Sequence, residues 1–64
     1  MGEHNPWEPL AAYVAANVES HLQYMLVMQA VRAHVVETKA TSPTNDVMAF
    51  TEMMLRDVRG DRLH

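Results

Sequence analysis

The chain has 64 residues and no cysteine, and its 5 Lys and Arg residues against 8 Asp and Glu residues give a formal net charge of −3. This length allows one domain at most, and the lack of cysteine excludes disulfides and thiolate zinc sites as staples. The mildly acidic balance argues against a sequence-independent nucleic-acid binder, which needs clustered basic residues. A domain this small usually needs additional stabilisation, and association with a partner chain is the means that remains. The content of 48% apolar residues suits such an association.

Nothing in the chain predicts insertion into a membrane. The first residues lack the basic region and apolar core of a signal peptide. No stretch reaches the roughly 18 apolar residues that would span a bilayer. We therefore expect a cytoplasmic location.

A long first helix is predicted after an irregular lead-in at residues 1–8. We expect this helix over about residues 9–38, because neither proline nor glycine interrupts it after Pro9. Pro9 suits the first helical position, where its missing N–H costs nothing. An alternative start has Asn5 as N-cap and Pro6 as the first helical residue.

The centre of that helix, residues 22–36, is almost continuously apolar. A helix that is apolar on most of its circumference needs cover on several sides. At 100° per residue, one narrow wedge is predicted to face solvent; it contains Ala12, Ala16, Glu19, Gln23, Ala30, His34 and Glu37.

A second helix is predicted over about residues 43–59, after a connector at residues 39–42. Ser42 before Pro43 is one candidate N-cap and Thr44 is the other. Gly60 is a natural residue to end the helix.

These elements predict an all-α fold in which residues 9–59 form a helical hairpin with unequal arms and residues 60–64 form a frayed tail. The shorter arm leaves about 20 Å of the first helix uncovered. Two copies could cover this overhang as an antiparallel bundle, and we expect a dimeric four-helix bundle. The residues expected in the oligomer core are Leu22, Met25, Met28, Val31, Val35, Phe50 and Met54.

The surplus of apolar surface without recognisable chemistry indicates a non-catalytic protein–protein interaction module that works as a homo-oligomer, such as an adaptor, inhibitor or assembly factor. Its expected partners are a second copy and an unidentified protein. Trp7 is expected to pack over the first helix, or to contact the partner. The predicted partner-binding residues are Trp7, Leu10, Tyr13, Val14, Val18 and Tyr24.

Three polar residues, Asn17, His21 and Arg32, project from the apolar side of the predicted first helix. Buried polar groups are costly unless they are paired. We interpret them as a buried polar layer that fixes register and partner number, as polar residues do in coiled coils. A functional interpretation is a polar pocket or pH-sensitive layer at the bundle centre.

Two other function classes stay open. One is a dimeric nucleic-acid regulator in which Arg56, Arg59 and Arg62 form a basic patch. The other is a metal-binding or catalytic bundle that uses the His21 layer. No nucleophile, acid and base occur together, so we predict no enzyme, no cofactor and no metal. His34 and Glu37 have a spacing that can ligate a metal, but they lie on the predicted solvent wedge.

Overall fold

The computed structural model describes residues 5–60. Residues 1–4 of the predicted lead-in (1–8) and residues 61–64 of the predicted tail (60–64) lie outside that range. Within it the chain forms three helices and no strand: α1 (Glu8–Ala16), α2 (His21–Thr38) and α3 (Asn45–Arg59). The prediction of an all-α fold is confirmed. None of these helices combines the length and apolar character that crossing a membrane requires.

The predicted single helix over residues 9–38 is wrong, because residues 17–20 separate α1 from α2. Asn17 ends α1, and its side-chain amide donates to the Tyr13 carbonyl at 2.8 Å. Ser20 then begins α2 as its N-cap, with Oγ accepting from the Gln23 N–H at 3.2 Å. The Gln23 side-chain oxygen accepts in return from the Glu19 N–H at 2.7 Å. These reciprocal bonds satisfy free N–H groups at a helix start, as a capping box does.

The start of α1 lies one residue before the predicted start at Pro9, and the alternative start with Asn5 as N-cap is wrong. Asn5 is not an N-cap; its Oδ1 accepts from the Trp7 N–H at 3.0 Å. The Asn5 carbonyl also accepts from the Glu8 N–H at 3.1 Å, which closes a turn through Pro6. The helix begins at Glu8, and Pro9 lies in its first turn.

The ends of α3 follow the predicted signals. Thr44, the second of the two candidate caps, accepts from the Val47 N–H at 3.2 Å through Oγ1. Gly60 ends the helix with a φ of 74°, a left-handed conformation that glycine adopts without steric cost. Lys39 ends α2 in a similar conformation, with a φ of 57°.

α2 and α3 pack side by side in opposite directions. Near one end, the Gln23 side-chain amide donates to the Val58 carbonyl at 3.1 Å. Near the other end, His34 Nε2 and Asp46 Oδ2 are 2.9 Å apart, and the His34 ring stacks on Phe50 with centroids 4.2 Å apart. Gln23 and His34 are therefore half-buried against α3, so the predicted solvent wedge is wrong for this part of the helix.

All three helices contribute buried side chains to one core, and α1 contributes Leu10 and Val14. The buried apolar side chains are Leu10, Val14, Val27, Val31, Val47 and Leu55. Thr51 is buried among them, and its hydroxyl donates to the Val47 carbonyl at 2.8 Å. The Tyr13 hydroxyl also donates to the Glu52 carboxylate, which ties α1 to α3. The predicted uncovered overhang is therefore wrong, because the break lets α1 fold back and bury its apolar residues.

Candidate interaction surface

The side of α2 that faces away from α3 is exposed and largely apolar. Leu22 is 65% exposed, Met25 53%, Leu26 49% and Val36 74%. Gln29 and Ala33 are exposed between them. At 100° per residue these positions fall within an arc of about 100° and span about 21 Å of helix. We call this surface the outer face of α2; its members are Leu22, Met25, Leu26, Gln29, Ala33 and Val36.

A cleft of about 320 Å³ lies beside the C-terminal half of this face. Trp7 and Leu10 at the start of α1 form one wall and α2 forms the other. We call it the Trp7 cleft; its lining residues are Trp7, Leu10, Met28, Val31, Arg32, Val35 and Val36. The lining is apolar apart from Arg32. Because Val36 belongs to both the cleft and the outer face, the two surfaces are continuous.

Charged groups surround the outer face but do not interrupt it. Arg32 and Glu37 are exposed on opposite edges of the face, by the same helical geometry. Away from the outer face, the Tyr13 hydroxyl on α1 donates to the Glu52 carboxylate on α3. This hydrogen bond is the main cause that raises the pKa of Tyr13 above its usual value. The outer face is therefore apolar apart from Gln29 at its middle, and it has a charged residue at each edge.

The predicted partner-binding residues do not form one exposed surface in a single copy. Leu10 is 3% exposed and Val14 is fully buried. The other four are half-buried and pack against the core: Trp7, Tyr13, Val18 and Tyr24. Their role in binding a partner stays a prediction, but Leu10 and Val14 contribute to the chain's own core.

The residues of the predicted oligomer core do not form one surface in a single copy, because five lie on α2 and two on α3. Leu22 and Met25 lie on the exposed outer face. Val31 is 1% exposed and belongs to the core of the single chain. The remaining members are partly buried and pack on that core: Met28, Val35, Phe50 and Met54. Of the seven predicted residues, only Leu22 and Met25 are exposed in the single copy and therefore available to an interface.

The predicted polar layer is not assembled within one copy. His21 and Arg32 are exposed, because α3 packs against the opposite side of α2. Asn17 is half-buried, and its amide is satisfied by the Tyr13 carbonyl. Among residues 5–60 no buried side-chain nitrogen or oxygen lacks a partner. Burial of His21 and Arg32 in an assembly stays a prediction.

The residues behind the other two hypotheses are dispersed. Glu37 is exposed, whereas His34 contacts Asp46 and Phe50. Over the described part of the chain, no three His, Asp or Glu side chains group closely enough to hold a metal ion. Arg56 and Arg59 lie in the last turn of α3, and Arg62 is outside the described residues.

Four members of the outer face were not among the predicted site residues: Leu26, Gln29, Ala33 and Val36. A signal for them exists in the sequence, because positions 22, 26, 29, 33 and 36 follow the alternating spacing of four and three that marks one side of a helix. No protein-family model matches the chain, and neither the curated proteins nor the solved structures contain a significant match to it.

Proposed function

We propose that the chain is a non-catalytic interaction module that works by self-association through the outer face of α2. The observation that carries this proposal is the exposure of Leu22, Met25, Leu26 and Val36 along one side of a well-capped helix. Large apolar side chains aligned in this way form a contiguous patch, and patches of this kind mark interaction sites.

The expected strength of this association follows from the exposed fractions. Fully burying one such side chain contributes about 2 kcal/mol. Covering the exposed parts of the four side chains in both copies therefore contributes roughly 10 kcal/mol. The lowest estimates of the entropic cost of association are about 4 kcal/mol. Because the lowest cost is used, the balance gives the tightest dissociation constant expected, on the order of tens of micromolar.

The proposed assembly keeps the hairpin and the dimer that the sequence suggested, but not the four-helix bundle. α2 and α3 are the two arms of a helical hairpin, and two copies join along α2, with α3 of each copy on the side of α2 away from the contact. α1 covers the core of its own copy instead of reaching to the other. The outer face of each copy covers the outer face of the other, as in the self-complementary contact of a two-fold dimer.

Sedimentation equilibrium between about 10 µM and 1 mM tests this proposal, because that range brackets the expected dissociation constant. We expect the average mass to rise from one copy to two across the range. Met25→Glu places a charge on the outer face and is expected to abolish the rise. Met53→Glu is the matched control, because Met53 is also 53% exposed but lies on α3.

Both variants are expected to keep the far-ultraviolet circular dichroism of the parent chain, since both positions are exposed. A parent chain that remains monomeric at 1 mM would refute the proposal. So would a dimer that Met25→Glu and Met53→Glu weaken equally, because the contact would then not depend on the outer face.

A further inference from the structure

We infer that the occupant of the outer face is the same face of a second copy, packed antiparallel about a two-fold axis near Gln29. This inference rests on the proposed function, since it specifies how self-association takes place. It also assigns the Trp7 cleft a ligand, namely the Met25 side chain of the second copy.

The distribution of side-chain size along the outer face supports the antiparallel direction. The face is bulky in its N-terminal half, with Leu22, Met25 and Leu26, and smaller in its C-terminal half, with Ala33 and Val36. A parallel pairing would place bulky residues together and leave a gap at Ala33. An antiparallel pairing packs Leu26 against Ala33 of the second copy and Leu22 against Val36, which fills the interface without voids.

The position of Gln29 supports the register. It lies seven residues from both Leu22 and Val36, at the middle of the outer face and of α2 itself. A two-fold axis there overlaps the two helices along their whole length and sets their dipoles in opposite directions, which is favourable. The two Gln29 side chains meet at the axis, where their amides can bond to each other and fix the register.

The same register brings opposite charges level at the two ends of α2. Glu19, just before α2, comes level with Lys39 of the second copy at the other end of that helix. Both side chains are exposed. In a parallel pairing each of them would instead come level with the same residue of the second copy.

The Trp7 cleft completes the fit. Met25 and Arg32 lie on the same edge of the outer face. A two-fold axis between antiparallel helices places this edge of one copy beside the same edge of the second copy. The Met25 side chain of the second copy therefore reaches Arg32 and the cleft beside it. The cleft, about 320 Å³ in volume, is apolar apart from Arg32, and a flexible thioether is suited to filling such an irregular space.

Cysteine cross-linking tests the direction, because the chain has no cysteine of its own. L22C and V36C are made in separate chains, mixed above the dissociation constant and oxidised mildly. The two variants differ in mass by one methylene group, so mass spectrometry separates mixed from identical disulfide pairs. We expect mixed L22C–V36C pairs to dominate by at least tenfold, and M53C mixed with V36C to give no comparable product.

Each other outcome has a defined meaning. Identical pairs of L22C and of V36C would show a parallel dimer. In a parallel dimer Arg32 and Glu37 of opposite copies are suitably spaced to pair. This outcome would overturn the inference and leave the proposed function intact. Sedimentation of the parent chain as a dimer, without any of these disulfides, would also overturn it. A parent chain that is monomeric throughout would instead overturn the proposed function.

Trp7 reports on the cleft, because it is the only tryptophan in the chain. We expect its fluorescence emission to move to shorter wavelength as the parent chain dimerises, since the Met25 side chain excludes water from the cleft. Met25→Ala should reduce this shift at concentrations where sedimentation shows that the variant is dimeric. Identical Trp7 emission in the monomer and the dimer would refute the assignment of Met25 to the cleft.

Discussion

Replacing Ser20 by alanine tests whether the break between α1 and α2 is a preferred state of the chain. The Ser20 hydroxyl accepts from the Gln23 N–H at 3.2 Å, and alanine removes this cap while raising the intrinsic helix propensity of the position. Loss of an N-cap serine costs about 1 kcal/mol. Extending one helix through residues 17–20 would expose Leu10 and Val14, at a cost of roughly 4 kcal/mol.

The break should therefore survive in Ser20→Ala at lower stability. We expect a fall in melting temperature of about 4–8 °C without a gain in helix content. Thermal denaturation followed by circular dichroism measures both, at about 10 µM so that the chain is monomeric on the expected dissociation constant. Ser42→Ala is the matched control, because Ser42 is exposed and its side chain makes no hydrogen bond within residues 5–60. A variant with more helix and a higher melting temperature would refute the reasoning, since the continuous helix would then be the favoured state.

Three further predictions concern the core and its polar contacts. In urea denaturation, Leu10→Ala should lower the unfolding free energy by about 2–5 kcal/mol, because Leu10 is 3% exposed. Leu22→Ala should lower it by less than about 1 kcal/mol, because Leu22 is 65% exposed. Equal effects would contradict the packing of α1. At Thr51, which is fully buried, serine should lower the unfolding free energy by about 1 kcal/mol through the lost methyl group. Valine should be close to neutral, because it replaces with a methyl group of similar size a hydroxyl that is bonded within its own helix. The raised pKa of Tyr13 means that its hydrogen bond to Glu52 stabilises the fold below the unfolded tyrosine pKa of about 10 and is lost as pH rises through the folded value. Tyrosinate absorbance should show that Glu52→Gln lowers the Tyr13 pKa, and an unchanged titration would show that the contact does not form in solution.

The second half of the chain was predictable because its signals are local. Thr44 offers a hydroxyl three residues before Val47, and Gly60 supplies the left-handed conformation that ends α3. Both signals act within one turn of helix and need no tertiary context. The observed bounds of α3 therefore differ from the prediction by two residues at its start and by none at its end.

The break in the first half was missed although its signal is also local. The prediction considered only proline and glycine as helix breakers, whereas Ser20 and Gln23 have the spacing of a capping box. Asn17 adds a residue that bonds readily to nearby backbone groups and so favours helix ends. A search for caps inside long apolar segments would have identified this boundary.

The side of α2 that packs on α3 was not predictable from periodicity. α2 carries apolar residues on nearly all sides, so the pattern has no preferred direction. The choice depends on which side α3 and α1 can cover together, and on contacts such as the ring stacking of His34 on Phe50. For the same reason Leu22 and Met25 were assigned to one core with Val31, although they lie on opposite sides of the helix.

Under the proposed function, the two sides of α2 separate the requirements of folding from those of recognition. Val27 and Val31 on one side can change only at the expense of stability, because both are 1% exposed. Substitutions at Leu26 or Val36 on the other side leave that core intact. New binding specificities could therefore be selected on this scaffold by varying the outer face alone, with one helix serving as both structural support and variable surface.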